Sequence, residues 1–85
     1  MTKTITVRYF ASIREAMGTG EETWATTAPT VAALRQELAG RSAQAALALA
    51  EDQPVRRALN QTMCPPDAPI APGDEVAFFP PVTGG

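Results

Sequence analysis

At 85 residues the chain has the length of a single domain, and 45% hydrophobic residues supply one modest core, which excludes a disordered chain. Seven basic against nine acidic residues leave a net charge of −2, too little positive charge for a nucleic-acid groove or a polybasic membrane anchor. Histidine is absent and Cys64 is the one cysteine, which removes the commonest general base, an internal disulfide framework and any multi-cysteine metal site.

Residues 3–10, KTITVRYF, alternate, with Ile5, Val7 and Tyr9 on one face and Thr4, Thr6, Arg8 and Phe10 on the other. That period of two predicts a strand. ASIREAM follows and leaves open whether a helical turn forms. Gly18-Thr19-Gly20 signals a turn, and EETWATT (21–27) predicts a second strand, antiparallel because the connection is short. Trp24 is expected in the core. Thr30 is placed as an N-cap for the main helix, and Val31, Leu34 and Leu38 form its apolar stripe. Gly40 is expected to end that helix in a left-handed conformation. Ser42 is expected to cap a shorter helix through AQAALALA. VRRALNQT (55–62) reads as a third strand with a turn near Asn60-Gln61. CPPDAPIAPGD carries four prolines in eleven residues and predicts irregular chain. Gly73-Asp74 then turns into a last strand, EVAFF, with Val76 and Phe78 on one face and Glu75, Ala77 and Phe79 on the other.

This order predicts an α+β fold. One sheet carries the main helix across one face, with Val31, Leu34 and Leu38 packed on Val7, Phe78 and Trp24. The domain is expected to span residues 1–79, followed by an extended tail, PPVTGG, over residues 80–85. The alternating N-terminus lacks the continuous apolar stretch of a signal peptide, and no segment approaches the length of a membrane-spanning helix. With so little cysteine, the chain reads as cytoplasmic.

The tail is the most pointed feature. Six extended residues reach about 20 Å. Pro80 and Pro81 stiffen the start, Val82 and Thr83 continue it, and Gly84 and Gly85 make the tip thin. Such a stem can enter a narrow channel in another protein and present the Gly85 carboxylate there. Phe78 and Phe79 are adjacent and cannot both face the core, so Phe79 is expected at a protein interface, with Met63 and Phe10 as weaker members of the same patch. Arg56-Arg57 reads as a solvated pair, or as a site for an acidic partner surface. Cys64 reads as a small hydrophobe in or beside the sheet.

With the tail and the element order together, the chain resembles the molybdopterin synthase small subunits, sulfur carriers with the ubiquitin-like β-grasp fold. The specific stretch is GDEVAFFPPVTGG, from Gly73 to Gly85, supported by PTVAALRQEL (29–38), ALNQT (58–62) and VRYFASIREAMG (7–18). The segment from Cys64 to Pro69 departs most from the family pattern. The resemblance implies a mixed sheet with one main helix and a short second helix. It implies two partners: an E1-like adenylyltransferase/sulfurtransferase that activates Gly85 with ATP, and the large subunit of a sulfurtransferase complex. Gly85 would become a thiocarboxylate and give its sulfur to a cyclic pyranopterin phosphate precursor, building the molybdopterin dithiolene. The large subunit would supply the catalytic side chains. The chain itself would bind no cofactor and no metal, and neither nucleic acid nor membrane. Other readings are a carrier for another pathway of the thiamine thiazole type, a ubiquitin-like modifier conjugated through Gly85, and a β-grasp interaction module with an incidental tail.

Overall fold

The alternation in the first residues produces β1, Lys3–Tyr9, whose Ile5, Val7 and Tyr9 are all buried. The computed structural model describes residues 2–81. Along them follow α1 (Ala11–Met17), β2 (Glu21–Thr26), α2 (Val31–Ala39), α3 (Ala43–Leu49), β3 (Arg56–Leu59), β4 (Thr62–Met63) and β5 (Glu75–Phe79). The strands form one mixed sheet in the order β2-β1-β5-β3-β4. β1 pairs antiparallel with β2 and parallel with β5, and β3 runs antiparallel to both β5 and β4. The parallel pairing of β1 with β5 requires a long crossover, and the helices and the β3–β4 hairpin provide it. This is the α+β, β-grasp architecture that the resemblance implied.

One face of the sheet holds the core. Val7, Val76 and Phe78 lie under Val31, Leu34 and Leu38 of α2, all fully buried, with Ile13 of α1 and Leu49 of α3 closing the layer. Each such aliphatic or aromatic side chain contributes about 1.5–3 kcal/mol when removed from water.

The proline-rich stretch after β4 is irregular, as its composition demands, yet it is built into the fold. Ala68 and Ile70 are buried in the core, and Thr30 bridges to Pro69. Its carbonyls also satisfy the first turn of α2. Val31 N donates to Ala68 O (3.0 Å) and Ala32 N to Pro66 O (2.8 Å), while Thr30 Oγ1 accepts from Ala33 N (3.2 Å). Helix starts leave such donors without intrahelical partners, so the loop and the cap complete what α2 lacks.

Four local expectations change. ASIREAM is a full seven-residue helix, making three helices in all among the described residues. Gly40 is right-handed (φ −79°, ψ −1°), because its N–H closes a tight last turn onto Glu37 O at 3.2 Å; Gly18, after α1, takes the left-handed cap instead (φ 78°). Residues 55–62 split into β3 and β4 around Asn60 and Gln61, both at positive φ. Trp24 is only half-buried at the core's edge. Its indole N–H donates to Glu37 Oε1 (2.8 Å), and the Arg41 guanidinium stacks 4.5 Å from its ring centroid. An indole N–H needs a partner, and the helix carboxylate sits at the rim.

Candidate functional site

Strand pleating sends alternate side chains to the face that the helices leave uncovered. Register places Arg8, Ala77, Ala58 and Met63 in one row across β1, β5, β3 and β4. Phe79 of β5 faces Arg56 of β3 in the next row. Phe10 extends β1 by one residue, its N–H donating to Phe78 O (3.2 Å), so its side chain falls beside Phe79. Their rings meet edge to face, centroids 6.3 Å apart at 85°, a favourable aromatic arrangement. The Arg8 guanidinium covers Phe10 at 5.1 Å and stands 3.5 Å from Glu21 Oε1.

The surface so made is apolar with a basic edge. Phe10 is 40% and Met63 56% exposed, Phe79 is half-buried, and Ala77 and Ala58 lie sunk between their larger neighbours. The structure therefore brings Phe10 and Phe79 into contact, while Met63 stands on the same face two strands from β5. Ala11, at φ 52°, turns the chain sharply after Phe10 into α1.

Pro80 and Pro81 continue from β5, both half-buried, between two clefts. On one side lies a groove of about 420 Å³ between α1 and α3, lined by Ile13, Ala16, Leu47 and Ala48 with both prolines. On the other lies a cleft of about 400 Å³ lined by Arg56, Arg57, Met63, Cys64 and Pro81. The remaining tail candidates, Val82, Thr83, Gly84 and Gly85, lie outside the described residues.

Cys64 is half-buried against the core, and burial pushes its thiol above the ordinary value, with Arg57 partly offsetting the shift. It holds little thiolate at neutral pH and is poorly suited to nucleophilic work. Among the described residues no three His, Cys, Asp or Glu side chains are grouped to hold a metal, and no helix is long and apolar enough to cross a membrane. What this face offers is contact: apolar area, two exposed aromatic or sulfur side chains and cations around the tail root. Sequence reasoning expected Phe10, Phe79 and Met63 in one patch, and the structure puts them on one face of the sheet. It missed the α1–α3 groove, one of whose residues, Leu47, is 74% exposed; the signal was its poor helical spacing from Leu49.

Residues 7–85 match the model of the ThiS family. The chain is 53% identical over 81 residues to the molybdopterin synthase sulfur carrier subunit of Escherichia coli (strain K12), covering 95% of this chain and 99% of that one. Among solved structures, the Haloferax volcanii HVO 2177 protein superimposes with a TM-score of 0.83 at 29% identity, over 99% of this chain and 88% of that one. A chain of the protein–protein complex of subunits 1 and 2 of molybdopterin-converting factor from Helicobacter pylori 26695 matches with a TM-score of 0.62 at 26% identity, over 96% and 99% of the two chains.

Proposed function

The chain belongs to the ThiS family, and from that premise we propose that it is the sulfur carrier subunit of a molybdopterin synthase. The observation that carries this reading is the 53% identity to the Escherichia coli carrier subunit over 99% of that protein. The described face agrees with it, since it presents contact surface around the root of a tail and no cluster of catalytic side chains. The family likeness to a chain of a two-subunit complex supports a large subunit as the partner.

The finer chemistry belongs to Gly85. Its carboxylate is a poor electrophile. Attack on the α-phosphorus of ATP, in an E1-like activating enzyme, releases pyrophosphate and leaves an acyl adenylate. A sulfur nucleophile then displaces AMP, and the carbonyl carbon ends as a thiocarboxylate. In the large subunit that sulfur passes to a cyclic pyranopterin phosphate precursor. Phe79, Phe10 and Met63 hold the carrier against its partner, while Pro80 and Pro81 aim the tail. ATP acts in the activating enzyme; the carrier binds no cofactor of its own, and the chemistry takes place in the cytoplasm.

The test is an extension of the tail. One residue added after Gly85 converts the reacting carboxylate into a peptide bond. The extended chain is expected to keep its melting temperature and its circular dichroism but to lose sulfur transfer. An extended chain that transfers sulfur at the normal rate would refute the proposal.

A further inference from the structure

The cleft that holds Arg56 and Arg57 has no part in the chemistry above. It contains two guanidinium groups and no carboxylate. Among the described residues, three other arginines stand against acceptors. Arg8 faces Glu21, Arg41 faces Glu22, and Arg35 donates to the carbonyls of Leu49, Ala50 and Gln53. Arg57 has no ion pair among the described residues. Its one hydrogen bond is long, Nη1 to Val55 O at 3.4 Å, and its Nε, like that of Arg8, is out of reach of solvent with no hydrogen-bond acceptor among the described residues. Its charge is felt nearby: after burial, it is the next cause that lowers Arg35, and it opposes the upward push on Cys64. A shielded guanidinium donor without an acceptor is unfavourable, and its planar fork matches a carboxylate.

The location says where that carboxylate comes from. Met63, part of the exposed apolar face, lines the same cleft, and so does Pro81 at the tail root. A protein that encloses the tail and covers Phe79 and Met63 must therefore lay a surface over this cleft as well. Covering an uncompensated cation is costly unless the cover brings the opposite charge. We propose that the cleft receives an aspartate or glutamate side chain of the large subunit, held by the Arg57 guanidinium, with Arg56 strengthening the field at its exposed edge. The proposal deepens the carrier reading and rests on it. It gives the interface an electrostatic lock beside its apolar contacts.

The experiment measures binding of the full chain to its large subunit at several salt concentrations, for the wild type and for Arg57→Gln, Arg57→Lys and Phe79→Ala. Thermal melts report whether each variant folds. The wild type is expected to bind more weakly as salt rises. Arg57→Gln is expected to lose about tenfold in affinity and to flatten the salt dependence, and Arg57→Lys to keep the salt dependence with part of the loss. In parallel, each Asp and Glu around the channel mouth of the large subunit is changed to its amide, which leaves this chain untouched. One of these is expected to be non-additive with Arg57→Gln by about fivefold or more. Unchanged affinity and salt slope in Arg57→Gln would overturn the inference, and so would a loss coupled to none of the partner's carboxylates. In either case, weakened binding by Phe79→Ala leaves the carrier reading standing. A wild-type chain that does not bind the large subunit would overturn both.

Discussion

Gln61 and Ala11 hold conformations that glycine adopts more easily. Gln61 lies at φ 67° and Ala11 at φ 52°, where an L side chain crowds its own backbone. Asn60 and Gln61 together form the turn between β3 and β4, and positive φ at both centres is the requirement of a type I′ hairpin, for which Asn-Gly is the preferred pair. Gln61→Gly is expected to stabilise the fold by about 0.5–1 kcal/mol and to raise the melting temperature by a few degrees. A lower melting temperature would mean that the Gln61 side chain holds the turn. Neither site was legible in the sequence in full: Asn60-Gln61 read as a turn from composition, whereas Ala11 carried no signal at all. Tyr9 is a second residue with a measurable consequence. Its ring is buried and its hydroxyl donates to Glu22 Oε2 at 2.7 Å, with Arg41 on the same carboxylate. Burial first, and the bond to Glu22 second, raise the phenol well above its ordinary value of 10.0. Folding thus favours the protonated phenol. Its contribution is fully present below pH about 10 and is lost as pH rises above that value. Tyr9→Phe is expected to cost about 1–2 kcal/mol at neutral pH and to flatten the alkaline decline of stability, as followed by denaturant titration across pH. An alkaline limb of unchanged steepness in the variant would exclude Tyr9 as its source.

Among the elements, those whose burial follows a simple period were the most legible. The inward faces of β1 and β5 and the Val31, Leu34 and Leu38 stripe of α2 read directly from spacing, because one buried face imposes that spacing. Thr30 and Ser42 read correctly as caps, accepting from Ala33 N and Ala45 N. The rest depended on distant chain. α1 was ambiguous because only Ile13 of its seven residues is buried, which leaves no stripe to detect. The proline-rich segment looked merely irregular, since its order comes from carbonyls turned toward α2, a partner some thirty residues earlier. Trp24 was expected in the core on its type alone, and its place at the rim follows from Glu37 and Arg41 on another element. The α2 start supplies the test at this scale. Thr30→Ala is expected to lower stability by about 1 kcal/mol in an equilibrium denaturation, the usual worth of such a cap. Because Ala68 O and Pro66 O still satisfy the neighbouring donors, the helix itself is expected to persist in the far-ultraviolet spectrum. Loss of helical signal would show that the loop carbonyls depend on the cap.

For the molecule as a whole, the fold divides the labour between its two faces. One face of the sheet buries the core under α2, and the other stays open with Phe10, Phe79 and Met63. The last strand lies in the middle of the sheet, between β1 and β3, so the tail leaves from a rigid position beside that open face. A carrier benefits from such an arrangement, because the same surface can dock while the tail reaches inward to chemistry held elsewhere. Phe79 was legible as a side chain outside the core because two adjacent phenylalanines on a strand cannot both be buried. Arg57 and its cleft were only half legible: the basic pair stood out, but its shielding beside Pro81 needed the sheet. The central claim, that Gly85 becomes a thiocarboxylate, is tested most directly by the intact mass of the untagged chain incubated with its activating enzyme, ATP and a sulfur donor. The account predicts a species heavier by one exchange of oxygen for sulfur, located on the C-terminal peptide and lost when Gly85 is removed. A chain that stays an unmodified carboxylate under those conditions would contradict it.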